Sequence, residues 1–448
     1  VEPKPGDFKT LYEQVLYGGH RNKLLVAAIS VNMLFVLVRP QYQLKFLETI
    51  KFPFMLALIP FALWLPKAPR GWAPQMKAMF AIILMGLLWV PLAKNNRMAF
   101  EGFRVIAQFL LMIAFPLAMT FQGRKWLDKL FRLFLFTALY LSLYGVTHGG
   151  RGPGDYLGDE NDLALVLNMH LGLLLGLLSA PQSSLRKLLI LMAIGGIIAS
   201  IVVTGSRGGF LGMVSVLGFH ILHAKRKVGF FFLAVIIASL TFVLAPAKYW
   251  DRIYTIKDTN TGTARERMET WGFAWDVFTK PKNFLVGTGM KNGPLQFGEY
   301  RTWRGRNMWG RQTHSLYFEI LPDLGLIGFS LFLYIVLKSF NGNRRSIKSA
   351  EDYLRRIRGA GLKTPEDRLL LLELNFLRSS MISINAAWIG TLICAGFISV
   401  FYYPPIWILA CVSVAMQGYS RRVLKLAEYQ LLANVKLVTT EEPQRLVF

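Results

Sequence analysis

The chain has 448 residues, 53% of them hydrophobic and only 17% charged, which is too apolar for a soluble domain and marks an integral membrane protein. Its formal net charge of +25 does not point to nucleic acid, because the lipid-facing apolar mass dominates. The cytoplasmic excess of lysine and arginine in membrane proteins, and its attraction to anionic headgroups, account for most of that charge. Cys394 and Cys411 both fall within late apolar stretches, which excludes a disulfide framework and a zinc site.

Val1 to Asn22 is polar and carries no signal-peptide pattern, so the first span is expected to act as its own insertion signal. Apolar runs follow near 24–38, 52–65, 78–93, 104–121, 132–147, 162–179, 188–204, 208–223, 229–245, 315–337, 380–400 and 403–417. They lack the two-residue alternation of a barrel, so the predicted class is all-α and polytopic, with about twelve membrane-spanning helices. Several runs are shorter than the roughly 20 residues needed to cross the hydrocarbon, so their helices are expected to extend into flanking polar residues.

Every second connection is basic: Lys67, Arg70 and Lys77; Arg124, Lys125, Lys129 and Arg132; Arg186 and Lys187; Lys225, Arg226 and Lys227; then Arg344 to Arg378 and Arg421-Arg422. This places both termini in the cytoplasm, and the intervening loops, including His148 to Glu160 and Gly205-Ser206-Arg207, on the outer side. The chain divides into N-terminal helices over residues 1–245 (about nine spans by apolar periodicity), a large outer loop over 246–313, and C-terminal helices over 314–448 with a basic cytoplasmic loop and tail. Ionisable residues avoid span centres, which argues against an ion pathway; His170 and His220 read as interior polar groups. The stretch from Arg344 to Arg378 reads as a pair of amphipathic surface helices.

Three outer features bear on chemistry. In Thr204-Gly205-Ser206-Arg207-Gly208-Gly209 the glycines permit a tight turn, and Ser206 with the amides of the next helix start favours an anion. Arg207 would aim a forked cation at phosphate oxygens; the alternative is a short turn with one snorkelling arginine. Residues 261–279 predict a helix with Met268, Trp271, Trp275 and Phe278 on an apolar face, and with Arg265 and Arg267 in its first turns. Glu266 and Glu269 are the competing partners for those arginines. Phe284 to Gly293, which contains Lys291, reads as an extended piece and a glycine turn.

The third feature is His314, at the junction between the basic loop and an apolar segment. The run Thr313-His314-Ser315-Leu316-Tyr317 predicts that it starts a helix and shares a face with Tyr317 and Leu321. A helix N-terminus and nearby Arg311 should depress its pKa and keep it neutral, as a general base for a sugar hydroxyl must be. A structural, hydrogen-bonded histidine is the plain alternative. The acidic run Asp155, Asp159, Glu160 and Asp162 could coordinate a cation through oxygens, but capping of the next span, or positioning of an acceptor through Asn161, is the preferred reading. No metal and no cofactor are expected.

In this order, Ser206-Arg207-Gly208, Arg267 ahead of Trp271, Pro281 to Gly289, and His314-Ser315 with Gly325 to Gly328 resemble the O-antigen ligase and polymerase superfamily. The resemblance implies a GT-C-like membrane glycosyltransferase of the bacterial inner membrane, with short helices in a large periplasmic loop and the active site facing the periplasm. Its donor would be a glycan on undecaprenyl diphosphate. The acceptor would be a sugar hydroxyl of lipid A core in the ligase branch, another lipid-linked glycan in the polymerase branch, or a protein hydroxyl in a third. By position, His314 corresponds to the family's essential histidine and Arg207 and Arg267 to its essential arginines. Asp323 departs from the glutamate the family commonly has there, and Pro322 beside it is expected to kink the helix. The expected reaction is a single inverting displacement, with Arg207, Arg267, Arg265 and Lys291 on the diphosphate, and Ser206, Asn161, Tyr317 and Asp323 as acceptor or structural support. Membrane lipids, but no nucleic acid, are the other expected partners. A lipid-linked oligosaccharide flippase is the rival from another class.

Overall fold

Backbone amides and carbonyls without access to water must satisfy one another, which leaves helices as the means by which such a chain crosses a bilayer. The computed structural model describes residues 7–18, 22–67, 71–178, 182–223, 262–302, 304–359 and 364–441. Among these, regular structure is helical throughout apart from one isolated antiparallel bridge between Arg301 and Asn307. The expected span 229–245, the basic residues Lys225 to Lys227 and loop residues 246–261 lie outside the described residues.

The N-terminal part comprises α1 (Asp7–Tyr17), α2 (Lys23–Val38), α3 (Lys45–Thr49), α4 (Phe52–Trp64), α5 (Pro74–Trp89), α6 (Asn96–Phe109), a π-helical turn (Leu110–Ala114), α7 (Phe115–Thr120), α8 (Arg124–Thr147), α9 (Glu160–Leu177), α10 (Ser184–Thr204) and α11 (Arg207–His223). Then come α12 (Gly262–Thr279) and α13 (Pro281–Phe284), followed by α14 (Leu316–Gly359), α15 (Pro365–Ala395) and α16 (Pro404–Glu441). Among the described residues five helices are long and apolar enough to cross a membrane, and α2 and α4 are shorter apolar helices. As expected, several helices run past their apolar stretch: α8 begins at Arg124 and α10 at Ser184.

Helix α9 is the axis of the assembly, buried continuously from Asp162 to Leu177 and packed against α8, α10, α11 and α15. Gly172 and Gly176 let it approach α15 closely. A Cβ on Gly172 would lie 2.3 Å from the Ala387 nitrogen, and one on Gly176 would lie 1.7 Å from the Ser383 hydroxyl oxygen. His170 is buried here as an interior polar group, its Nδ1 at 2.8 Å from the Val166 carbonyl and its Nε2 at 2.9 Å from Thr137 Oγ1. His220 is likewise buried, 3.4 Å from the Gly172 carbonyl.

Three expectations are corrected. Residues 344–378 do not form separate surface helices: they continue α14 and begin α15. The two segments are joined by an Arg378–Glu351 pair at 2.6 Å, and Ala350, Leu354 and Ile357 are buried, because a continued helical hairpin buries one apolar stripe without ending either helix. Phe284 to Gly293 is not extended; α13 ends at Phe284 and is followed by tight turns at Gly287 and Gly289 with φ of 73° and 100°. On α12 the buried positions are Thr270, Ala274, Val277 and Phe278, whereas Met268 and Trp275 point outward, 53% and 50% exposed. This helix rests on a small cluster of its own with Phe297 and Met308.

Pro322 breaks α14 as expected, and the non-helical residue is Gly325, with φ 63° and ψ −165°. The freed carbonyls are taken by the preceding loop: the Thr288 and Gly289 amides donate to Pro322 and Asp323 at 2.9 Å each, and the Ile327 amide donates to Leu285 at 3.0 Å. Gly287 and Gly325 meet back to back, so that a Cβ on Gly325 would sit 2.5 Å from the Leu285 carbonyl carbon. Gly325→Ala is therefore expected to cost on the order of 2 kcal/mol through positive φ and collision with backbone. The check is a lowered thermal unfolding midpoint in detergent; an unchanged midpoint would mean that this break relaxes freely.

Candidate functional site

Two helix starts and one loop end build the site. Asp159 caps α9, accepting from the Asn161 amide at 2.8 Å and from its side chain at 3.0 Å. Ser206 precedes α11 and accepts from the Gly209 amide at 3.0 Å, while its own hydroxyl donates to Asn161 Oδ1 at 2.8 Å. The two N-termini are thereby locked side by side, each presenting the positive end of its dipole, with Arg207 as the first residue of α11. Ser206 and Asn161 support the site through these bonds.

Helix α12 brings Arg267. One turn later the Trp271 indole donates to the Thr313 carbonyl at 2.9 Å and stacks on Phe318 at 5.4 Å, fixing the residue before His314 to the helix that carries the arginine. Thr313 Oγ1 adds a bond to the Ser315 carbonyl at 3.1 Å and lies 3.2 Å from Ser399 Oγ. His314 does not start a helix: α14 begins at Leu316, and His314 sits in the bend ahead of it with φ 49°. That left-handed conformation costs a non-glycine residue on the order of 1 kcal/mol, and the Trp271 and Thr313 bonds hold the chain there.

The charges show which groups lie together. Burial, and after it the charge of Arg207, push the Arg267 guanidinium below its ordinary pKa, with Asp159 opposing. Among the described residues no carboxylate pairs with Arg267. Partial burial first and the Arg267 charge second hold the His314 pKa below the usual 6.5, again against Asp159. Part of the imidazole stays exposed, and it makes no hydrogen bond among the described residues, in contrast to the doubly bonded His170. A structural role therefore has no bond to account for it. Arg267 joins these groups electrostatically: it feels Arg207 and Asp159, and it favours the neutral form of the His314 imidazole. Asp159 was legible as a cap but not as a member of this group.

The remaining predicted site residues fall elsewhere. Arg265 pairs with Glu269 at 3.2 Å, and Glu266 lies between Arg304 and Arg306 at 3.9 and 3.6 Å, so the acids of α12 serve arginines other than Arg267. Lys291 pairs with Glu101 at 3.1 Å and faces a neighbouring cavity. Tyr317 donates to the Leu392 carbonyl at 2.9 Å, which binds α14 to α15. Asp323 is buried and takes the structural role: its carboxylate accepts from the Gly293 amide at 2.6 Å, the Lys291 amide at 2.8 Å and the Tyr402 hydroxyl at 2.6 Å. Of the acidic run, Asp155 pairs with Arg39 at 2.5 Å and Glu160 with Arg151 at 3.2 Å. Among the described residues no three or more histidine, cysteine or acidic side chains are grouped to hold a metal ion.

Because a cation next to His314 disfavours the imidazolium, Arg267→Gln is expected to raise the His314 pKa toward 6.5. The neutral form would then dominate only at higher pH. The midpoint for reaction of His314 with diethyl pyrocarbonate, measured in protein whose other exposed histidines are replaced, should move upward; a stationary midpoint would separate the two residues.

Residues 189–333, which include Arg207, Arg267 and His314, match the family described as O-Antigen ligase. This match supports the O-antigen ligase and polymerase superfamily, and with it a membrane enzyme of the ligase or polymerase kind acting on lipid-linked glycans. The search of curated proteins found no match.

Proposed function

We propose that the protein is an O-antigen ligase-type glycosyltransferase that moves a glycan from undecaprenyl diphosphate to a sugar hydroxyl of lipid A core at the periplasmic face of the inner membrane, with both termini in the cytoplasm. The observation that carries this reading is the grouping of His314, which makes no hydrogen bond among the described residues, with Arg267, Arg207 and Asp159 beside the linked starts of α9 and α11.

His314 takes the proton of the acceptor hydroxyl as its oxygen attacks the anomeric carbon. The bond from that carbon to the diphosphate breaks with its electron pair, and the configuration inverts in one step. Arg207 and Arg267 receive the charge that grows on the leaving oxygens, supported by the dipoles of α9 and α11. Diphosphate leaves readily without a general acid, and a double displacement would require a carboxylate nucleophile at the anomeric carbon. Asp323 is committed to three donors and does not fill that place. The reading assigns no step to a metal ion.

The test is transfer by the purified protein from undecaprenyl-diphosphate glycan to lipid A core. His314→Ala is expected to lose a factor of roughly 100 to 10,000 in turnover, the range of a general base, while still binding donor. Turnover close to wild type would remove His314 from the mechanism, no product from wild type with donor still bound would favour a flippase, and elongated lipid-linked glycan with unmodified core would identify a polymerase. In a separate assay, activity should persist in excess chelator; its abolition would overturn the metal-free mechanism.

A further inference from the structure

Helices α8 and α10 run side by side in the same direction, and the two ends of their contact differ. Toward their C-terminal ends small residues let the backbones close up: a Cβ on Gly145 would lie 2.2 Å from the Ser200 hydroxyl oxygen, and one on Gly196 would lie 2.7 Å from that of Ser142. Toward their N-terminal ends the link is made by long side chains instead, with Arg186 on α10 reaching Asp128 on α8 at 2.6 Å. There a cavity of about 800 Å³ opens at the helix pair, within the roughly 300–1,000 Å³ of ordinary small-molecule pockets. It is separate from the site around His314, since none of Arg207, Arg267 and His314 is among its walls.

The wall is amphipathic. Leu135, Leu139 and Leu189 form its apolar part, and Phe136 and Leu185 stand exposed at the rim, on two helices long and apolar enough to cross a membrane. The polar part is cationic. Arg132 and Arg186 share one carboxylate, that of Asp128, at 2.5 and 2.6 Å, so the three side chains together carry a net positive charge. Arg132 is exposed, whereas Arg186 is largely buried: it bonds Asp128 through Nη1, and its buried Nε has no partner among the described residues. A buried donor left unmet is costly, and a guanidinium is a forked donor suited to phosphate oxygens. Helix α10 begins at Ser184, so the positive end of its dipole lies at the same place.

Arg124, Lys125 and Lys129 lie on the same end of α8 and Lys187 follows Arg186 on α10, the excess of basic residues that marks the cytoplasmic side of a membrane protein. We propose that this cavity binds an anionic glycerophospholipid of the cytoplasmic leaflet, with its phosphate against Arg186 and Arg132 and an acyl chain along Leu135, Leu139 and Leu189. Basic pockets between membrane helices on that side suit anionic headgroups, and a phospholipid meets the cationic rim and the apolar wall with one molecule. A zwitterionic lipid carries its own ammonium beside the phosphate and gains less from the spare positive charge. The bound lipid joins α8 to α10 beyond the Asp128 link, and α10 leads at its other end into Ser206 and Arg207. The proposal does not depend on the transferase reading.

In the experiment the full-length protein is purified in detergent, delipidated, and titrated with dioleoyl phosphatidylglycerol, dioleoyl phosphatidylcholine or glycerol phosphate. Binding is read by native mass spectrometry, with the thermal unfolding midpoint followed alongside. Phosphatidylglycerol is expected to raise the midpoint and to bind about fivefold or more tighter than phosphatidylcholine, since each basic residue near a membrane surface contributes about that factor toward an anionic lipid. Arg132→Gln, at an exposed position, should weaken phosphatidylglycerol about fivefold and leave phosphatidylcholine unchanged, and Arg186→Gln should weaken it at least as much. Leu185→Glu, also exposed, sets a carboxylate at the mouth and should lower phosphatidylglycerol affinity as well, so the test stands even if Arg186→Gln does not fold. Equal affinity for the two lipids, or a preference for phosphatidylglycerol that survives both Arg132→Gln and Leu185→Glu, would overturn the proposal. Glycerol phosphate binding as tightly as phosphatidylglycerol would make this an anion site without a lipid and overturn it too.

Discussion

A break in a helix within an apolar environment is tolerated only if something else meets its freed backbone groups, and the surrounding structure depends on how that is done at Pro322 to Gly325. The loop from Leu285 to Gly293 turns back onto the break and supplies the missing amides. Buried Asp323 then draws in three donors from Gly293, Lys291 and Tyr402. A carboxylate placed there without partners would cost several kcal/mol; with them it joins α14 to the preceding loop and to the turn before α16. The Thr313 to Leu316 bend lies about two helical turns before the break, so the same repair supports the functional region.

On this support the site is assembled by short polar links. Ser206, Asn161 and Asp159 tie two helix starts together, and Trp271 ties Arg267's helix to the residue before His314. Through these links the Asp159 carboxylate acts on both Arg267 and His314. Other basic residues of the loop are neutralised locally, Arg265 by Glu269 and Lys291 by Glu101. Charge matching alone would not have separated these from Arg267, which has no carboxylate partner among the described residues; the folded arrangement does.

Much of the fold was legible because a membrane leaves so few solutions: apolar runs became helices, Pro322 became a break, and His170 became an interior polar group. The order of Arg207, Arg267 and His314 was legible as well, since each sits at a junction between polar and apolar sequence. The function of Asp323 was not, because its partners are some thirty to eighty positions away and nothing local predicts three converging donors. Arg39 and Asp155 meet across a separation of 116 positions and left no sequence signal. The helical start expected at His314 failed because its φ of 49° interrupts the helical run and the first helical bond, from the Glu319 amide to the Ser315 carbonyl, begins the helix at Leu316; the outward turn of Trp275 shows that a three-and-four pattern cannot tell a protein-facing stripe from one facing elsewhere.

The contact between Gly287 and Gly325 also constrains the order in which the molecule can be made. Residues 285–293 are synthesised before 316–325, yet their amides have as partners carbonyls that exist only once the later span has emerged and bent. Until then those amides must find other partners, with Asp323 and its donors apart. Completion of this part of the fold therefore waits on α14, and a chain truncated before that helix would carry Arg207 and Arg267 without the frame that brings His314 to them.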